Sequence, residues 1–353
     1  MKSLPVLAGA VLVLGACART SPVRDTVAVP RADGYDAAVL VAWNQRVLAI
    51  AEAEDGFLTL KGVRAAAMMH VAMHDALNSI QPRYEPYVFH IDATDAAPVA
   101  ATAQAGFEVA IDQYPGKRSE LERELQKWLD PIDAGPAKAR AVTIGKASAS
   151  AILGKRRGDG WDVEAEYAWH PMGPGVYAEF REHSATPQGF VFGAGWATVK
   201  PFMLHRQDQF RSPPPPPIDS AEYARAYDEV KEAGRFESGS RTLDQTHLAM
   251  WWKEFAENSH NRLARQLVSE DKTDLWAAAR MFALLNMSIS DGYISVFENK
   301  FFYNHWRPYT AIRWAGNDGN PATVPSRNGT TRTGTPTPFH PIHRRTARSA
   351  PRP

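Results

Sequence analysis

Lys300 and Arg307 are separated by six residues, and Pro308 follows directly. In an unbroken helix that spacing is nearly two turns and would set two cations on one face about 10 Å apart. Pro308 argues against an unbroken helix, because it biases Arg307 toward extended geometry and suits the first turn of a new helix. The spacing therefore predicts one helix ending near Lys300 and another over Tyr309 to Trp314, with the two cations converging on one tetrahedral oxyanion. By spacing alone, two solvated cations at a helix end would read the same way. His70 and His74 form a second candidate, four apart on one helix face, a spacing that can chelate a metal. The intervening Val-Ala-Met lacks the glutamate of zinc proteases and no third ligand is indicated, so a structural role beside Asp75 is expected and no metal site is assigned. The sequence contains no Gly-x4-Gly-Lys phosphate loop and no serine nucleophile elbow.

Positioning such residues requires helices. Apolar residues recur at helical spacing over 37–54, 62–80, 99–113, 119–129 and 137–153. Between Gly158 and Asp219 the texture changes to Gly, Pro and aromatics, including Trp161, Trp169, Trp196 and Pro213 to Pro217, with Phe190 to Phe192 as at best one short strand. This reads as a long structured loop, either roofing a cleft or serving as a plain crossover. Helical pattern resumes with Asp219 as cap and Glu222 answering it, and again at Thr242 with Gln245, the two helices running to about Gly234 and Glu257. The longest stretch, Asp274 to about Phe302, offers Leu275, Met281, Phe282, Leu285, Ile289, Ile294 and Phe297 to a core and is apolar enough to be the central helix of a bundle. The fold class expected is all-α.

Forty lysines and arginines against 39 acids leave a net charge of +1, which gives no global field for drawing in nucleic acid. No acid occurs after Asp318, where six arginines lie, so the preceding body is mildly acidic. Residues 335–353 stand apart as an Arg/Pro-rich tail. At the other end, residues 1–17 carry a basic Lys2, an apolar run from Leu4 to Leu14 and small residues before Cys17, which is the single cysteine. The run is shorter than the roughly 20 residues needed to span a bilayer, so it reads as a secretion signal. Leu-Gly-Ala-Cys17 resembles the bacterial lipoprotein processing box, which would make Cys17 a lipid anchor and residues 18–35 a tether. The alternative is an ordinary signal peptide with an incidental cysteine. Ala18 after the cysteine favours outer-membrane sorting in a cell that has an outer membrane.

The stretch Lys300-Phe-Phe-Tyr-Asn-His-Trp-Arg-Pro-Tyr-Thr-Ala-Ile-Arg313, followed by Asp318-Gly-Asn-Pro-Ala-Thr, resembles the first signature of the vanadium-dependent haloperoxidase and type 2 phosphatidic acid phosphatase superfamily, especially its bacterial haloperoxidase-like branch. The resemblance extends back through Ala67-Met-Met-His-Val-Ala-Met-His-Asp-Ala-Leu-Asn78 and the loop from Gly189 to Arg211. It implies a helical bundle over residues 36–334 in which Lys300 and Arg307 neutralise vanadate or phosphate. It also implies either of two chemistries. With vanadate as cofactor and peroxide and halide as substrates, the site is a haloperoxidase; with no cofactor and a phosphomonoester, it is a phosphatase working through a phosphohistidine. One site serves both because fixed cations lower the energy of a five-coordinate species whose charge is spread over its equatorial oxygens.

The family's second motif, Pro-Ser-Gly-His, and its third, with a further Arg and the key His, do not follow Pro338. The chain reads Phe339-His-Pro-Ile-His-Arg-Arg-Thr346 instead, and the general-acid and metal-ligating or nucleophilic histidines are absent from it. Back-translating that stretch in another frame permits Pro-Ser-Tyr-Pro-Ser-Ala-His, so a truncation or a frameshift near Thr335 to Phe339 is expected, with loss of turnover. His340 and His343 are not expected to substitute, having no helix to position them. A different class stays open: a lipid-anchored, non-catalytic helical binding protein using the aromatic loop Trp161 to Trp196.

Overall fold

The computed structural model describes residues 35–326, excepting 57–58, 164–166, 168–169, 172, 178–191 and 236–237. The secretion signal, Cys17, nearly all of the tether, the Arg/Pro-rich tail and the Phe190–Val191 part of the short strand lie outside the described residues. Among the described residues the regular structure is helical, with isolated bridges at Asp36–Asp274 and Val176–His305 and no strand. The all-α expectation is met. None of these helices is long and apolar enough to cross a membrane.

The first five helices are α1 (Ala38–Asp55), α2 (Leu60–Ile80), α3 (Pro98–Gln113), α4 (Arg118–Leu129) and α5 (Pro136–Lys155). Each lies within two residues of its periodicity. α2 starts early because the Thr59 hydroxyl accepts the Gly62 N–H at 2.7 Å and is itself bound to Asp55. Every residue of α2 except Lys61 is buried. Its alanines let α1, α3 and α5 approach closely, and Gly145 of α5 meets the α3 backbone, where a Cβ would lie 2.7 Å from the Ala101 carbonyl.

Four further helices, α6 (Ala221–Ala233), α7 (Leu243–Lys253), α8 (Ala256–Glu270) and α9 (Leu275–Tyr303), precede the short α10 (Pro308–Trp314). Three expectations need correction. Ser220, rather than Asp219, caps α6, its hydroxyl accepting the Tyr223 N–H at 3.1 Å. The helix begun by the Thr242–Gln245 capping box stops at Lys253, and α8 follows as an element that periodicity does not reveal. α8 is hidden because it buries Glu257, Ser259 and Asn261 while leaving Leu263 and Leu267 exposed. Finally, α2 occupies the centre of the bundle and α9 packs across it. α9 buries Leu275, Phe282, Ile289, Ile294 and Phe297, but Met281 and Leu285 only partly.

Two buried aspartates tie long loops to these helices. Asp75 of α2 accepts the N–H groups of Tyr87, Val88 and Phe89 at 2.7–2.9 Å. Asp291 of α9 does the same for Phe202, Met203 and Leu204 at 2.6–3.0 Å. Three donors per carboxylate satisfy backbone groups that would otherwise be buried unpaired. The described part of the aromatic loop is therefore packed along α9.

Candidate functional site

α9 ends at Tyr303 because Asn304 adopts the left-handed conformation (φ 48°) and its N–H closes on the Lys300 carbonyl at 3.1 Å. The chain turns, Arg307 is extended (φ −74°, ψ 150°), and Pro308 opens α10. Lys300 thus projects from the last turn of one helix and Arg307 from the cap of the next, the arrangement that Pro308 predicts.

Lys300 is half-buried among aromatic rings. Its Nζ donates to the Phe192 carbonyl at 3.1 Å and lies 4.7 Å from the Phe301 ring centroid, 5.4 Å from Phe297 and 5.7 Å from Tyr177. The Arg307 guanidinium lies over the same Tyr177 ring at 5.6 Å. Desolvation, with the positive charge of Arg307 added, pushes the Lys300 ammonium down to about 8. Neither cation has a carboxylate partner among the described residues. The contrast with neighbouring Arg211, which is paired with Glu298, is plain.

The loop and α9 shape the surroundings. Gly193 has φ +78° and sits against Phe297, where a Cβ would come within 2.3 Å of the ring, so only glycine lets Phe192 reach Lys300. Phe297, Trp196, Val199, Ile294 and Leu60 form a buried apolar cluster beneath. The Asp318 carboxylate takes the Asn320 N–H at 2.8 Å and the Thr323 hydroxyl at 2.6 Å, fixing the turn after α10. An apolar cavity of about 290 Å³ opens between α6 and residues 305–308, and its lining includes no lysine or arginine.

His70 and His74 diverge. His70 stacks on Phe282 at 4.9 Å and accepts from the Asn44 amide at 2.9 Å, and burial lowers it to about 3, so the ring is neutral. His74 donates to the Glu85 carbonyl at 3.1 Å, and burial lowers it too. Both rings serve packing. The structure sets Lys300 and Arg307, the two cations expected from the sequence, over one Tyr177 ring, and it adds Tyr177 and the Phe192 carbonyl, which were not expected there. Phe192 lies in the loop Gly189 to Arg211 that shares the family resemblance, but nothing local assigns its carbonyl to Lys300; Tyr177 carries no such signal, and each is reached by tertiary contact across more than 100 residues.

Over residues 280–350 the sequence matches the family model of the VCPO second helical-bundle domain. The match begins inside α9 and includes both cations. Among solved structures the fold is similar to that of the first bacterial vanadium-dependent iodoperoxidase, with a TM-score of 0.63 and 17% identity over 82% of this chain and 75% of that one. It is also similar to a holo-type bacterial vanadium-dependent chloroperoxidase, with a TM-score of 0.55 and 18% identity over 71% of this chain and 63% of that one. At these identities the likeness establishes the fold. No curated protein is similar enough in sequence to count as a relative.

Proposed function

Since this chain has a vanadium haloperoxidase-like fold and carries the matching second-bundle domain, we propose that Lys300 and Arg307 bind a tetrahedral oxyanion of the vanadate type. The observation that carries this reading is the pair of cations without carboxylate partners among the described residues, one of them desolvated enough for its proton to be loosened. An anion relieves both the burial cost and the mutual repulsion. The donor set, an ammonium and a guanidinium, fits an oxyanion and would repel a metal cation.

In a chain that also carried the family's second and third motifs, bound vanadate would supply the centre at which hydrogen peroxide is activated to oxidise a halide; without those histidines this chain is expected to bind the anion and not to turn over. This chain's own residues contribute binding and neutralisation. The Arg307 guanidinium offers a planar fork of donors, and Lys300 adds a compact charge whose ring-lined surroundings keep water from screening it. The Phe192 carbonyl takes one ammonium hydrogen and orients the other two. Phosphate would meet the same two donors, so phosphomonoester hydrolysis in a chain with the remaining motifs would draw on the same binding step.

The test is a titration with inorganic vanadate. Arg307→Ala is expected to weaken binding at least about tenfold, the loss of one charge-assisted hydrogen-bonding group. Unchanged affinity in that variant would remove Arg307 from the site. Bromide or iodide oxidation that requires both vanadate and peroxide would assign haloperoxidase chemistry, whereas metal-free ester hydrolysis inhibited by vanadate would assign a phosphatase. Export and lipid attachment through Cys17 complete the proposal and place the protein in the cell envelope, supported by the apolar run that precedes a single cysteine.

A further inference from the structure

The turn between the two cations is held from outside. Residues Gly175–Tyr177 run antiparallel to Asn304–Trp306, with Val176 bridged to His305. The Tyr177 N–H donates to the Asn304 carbonyl at 2.7 Å, and the Trp306 N–H donates to the Gly175 carbonyl at 3.0 Å. The Tyr167 hydroxyl adds a contact to the Tyr177 carbonyl at 3.3 Å and another to the Asn304 side-chain oxygen. This short pairing fixes the register between a loop segment and the 304–306 turn, and it therefore determines where the Tyr177 ring goes. The ring is 7% exposed and lies within 6 Å of both Lys300 Nζ and Arg307 Cζ, at 5.7 and 5.6 Å.

Two like charges brought this close repel, and one of them has lost much of its hydration. Among the described residues the charged group that bears on Lys300 is Arg307. What faces the pair instead of a carboxylate is aromatic electron density: Phe297 and Phe301 touch Lys300, while Tyr177 touches both cations. A ring quadrupole attracts a cation without neutralising it, so both remain available to an anion. A carboxylate in the same place would compete with that anion.

We propose that Tyr177 is the positioning residue of the anion site: clamped by the pairing of Gly175–Tyr177 with Asn304–Trp306, its ring holds Lys300 charged and both cations within reach of one oxyanion before the anion arrives. The proposal rests on the reading that Lys300 and Arg307 bind an oxyanion. It assigns Tyr177 no contact with the anion.

The experiment uses the full chain with Tyr177→Phe and Tyr177→Leu. Lys300 acetylation by acetic anhydride is followed against pH by peptide mass spectrometry, and inorganic vanadate affinity is measured on the same samples. Tyr177→Phe keeps the ring and should retain both the midpoint of Lys300 reactivity and the affinity. Tyr177→Leu should move that midpoint down by about half a pH unit and weaken vanadate about threefold to tenfold, the size of a part-buried cation–π contact. If the leucine variant loses native helix by circular dichroism, Tyr177→Met, which fills the space without a π face, takes its place. A Lys300 midpoint unmoved in a folded ring-less variant would overturn the proposal, as would Tyr177→Phe behaving like Tyr177→Leu. Should the midpoint move while the unsubstituted protein binds no vanadate, the oxyanion reading falls and the positioning of Lys300 stands. Should vanadate bind tightly and equally to the ring-less variant, the positioning falls and the oxyanion reading stands.

Discussion

Lys300 releases its proton near pH 8 rather than near the usual 10.5, because burial and Arg307 both penalise its charge. An oxyanion binds the charged form, so affinity is full below pH 8 and falls as pH rises through it. The anion titrates as well, which makes the difference between the unsubstituted protein and Lys300→Met the informative quantity. That difference should shrink steadily above pH 8, and a constant difference from pH 7 to pH 10 would contradict the assignment.

Asp291 and Glu257 show what single polar groups do for whole elements. Asp291→Ala would leave the buried Phe202 N–H and the part-buried Met203 and Leu204 N–H groups without their acceptor and should cost about 1–3 kcal/mol, since water can reach the latter two. Hydrogen exchange at Phe202, Met203 and Leu204 should accelerate more than exchange in α2. Uniform acceleration would mean that Asp291 supports the bundle rather than the loop. Glu257, on the buried face of α8, accepts the Tyr293 hydroxyl at 2.7 Å with one oxygen and has no partner for the other among the described residues. Desolvation raises its pKa, the Tyr293 bond and the backbone opposing, with Glu254 and Glu52 adding to the rise. For a carboxyl raised on folding, the unfolded chain binds fewer protons across the window between the two pKa values. Stability is thus highest below the unfolded value near 4.5 and declines as pH climbs through the folded one. Glu257→Gln should flatten that decline and raise the melting temperature at neutral pH; parallel melting curves from pH 4.5 to 8 would refute it.

At the scale of the molecule, a buried, alanine-rich α2 gathers α1, α3, α5 and α9, and the site grows from the far end of α9 where loop and turn meet. A buried ionic cluster anchors the start of that loop: Arg64 and Arg156 both donate to Asp159 at 2.8 Å, and Arg156 goes on to the Pro201 carbonyl at 2.9 Å. Such a site can sit on a tethered protein as well as on a free one. For the envelope proposal, Cys17→Ser should move the protein from the membrane to the soluble fraction and abolish labelling by a palmitate analogue. Retention in the membrane fraction by the serine variant would exclude Cys17 as the anchor.

The amino-acid sequence by itself determined the helices whose apolar faces repeat cleanly, α1 to α5 and α9, together with the break between Lys300 and Arg307. These rest on local physics: periodicity, capping by Thr242, and the geometry that Pro308 imposes. It set Lys300 at one helix end and Arg307 at the start of the next, while spacing alone left a convergent pair and two solvated cations equally open. Tertiary structure decided the rest. α8 is hard to read because its inward face mixes Glu257, Ser259 and Asn261 with Ala264 and Val268, and Glu257 and Asn261 find their partners on other helices. Which helix is central depends on how many neighbours pack around it, and α2 gains that place through small side chains rather than high hydropathy. Tyr177 and the Phe192 carbonyl belong to the site through contacts that span more than 100 residues of chain, and no spacing within a sequence can encode a meeting made only by the packing of a loop against a helix end.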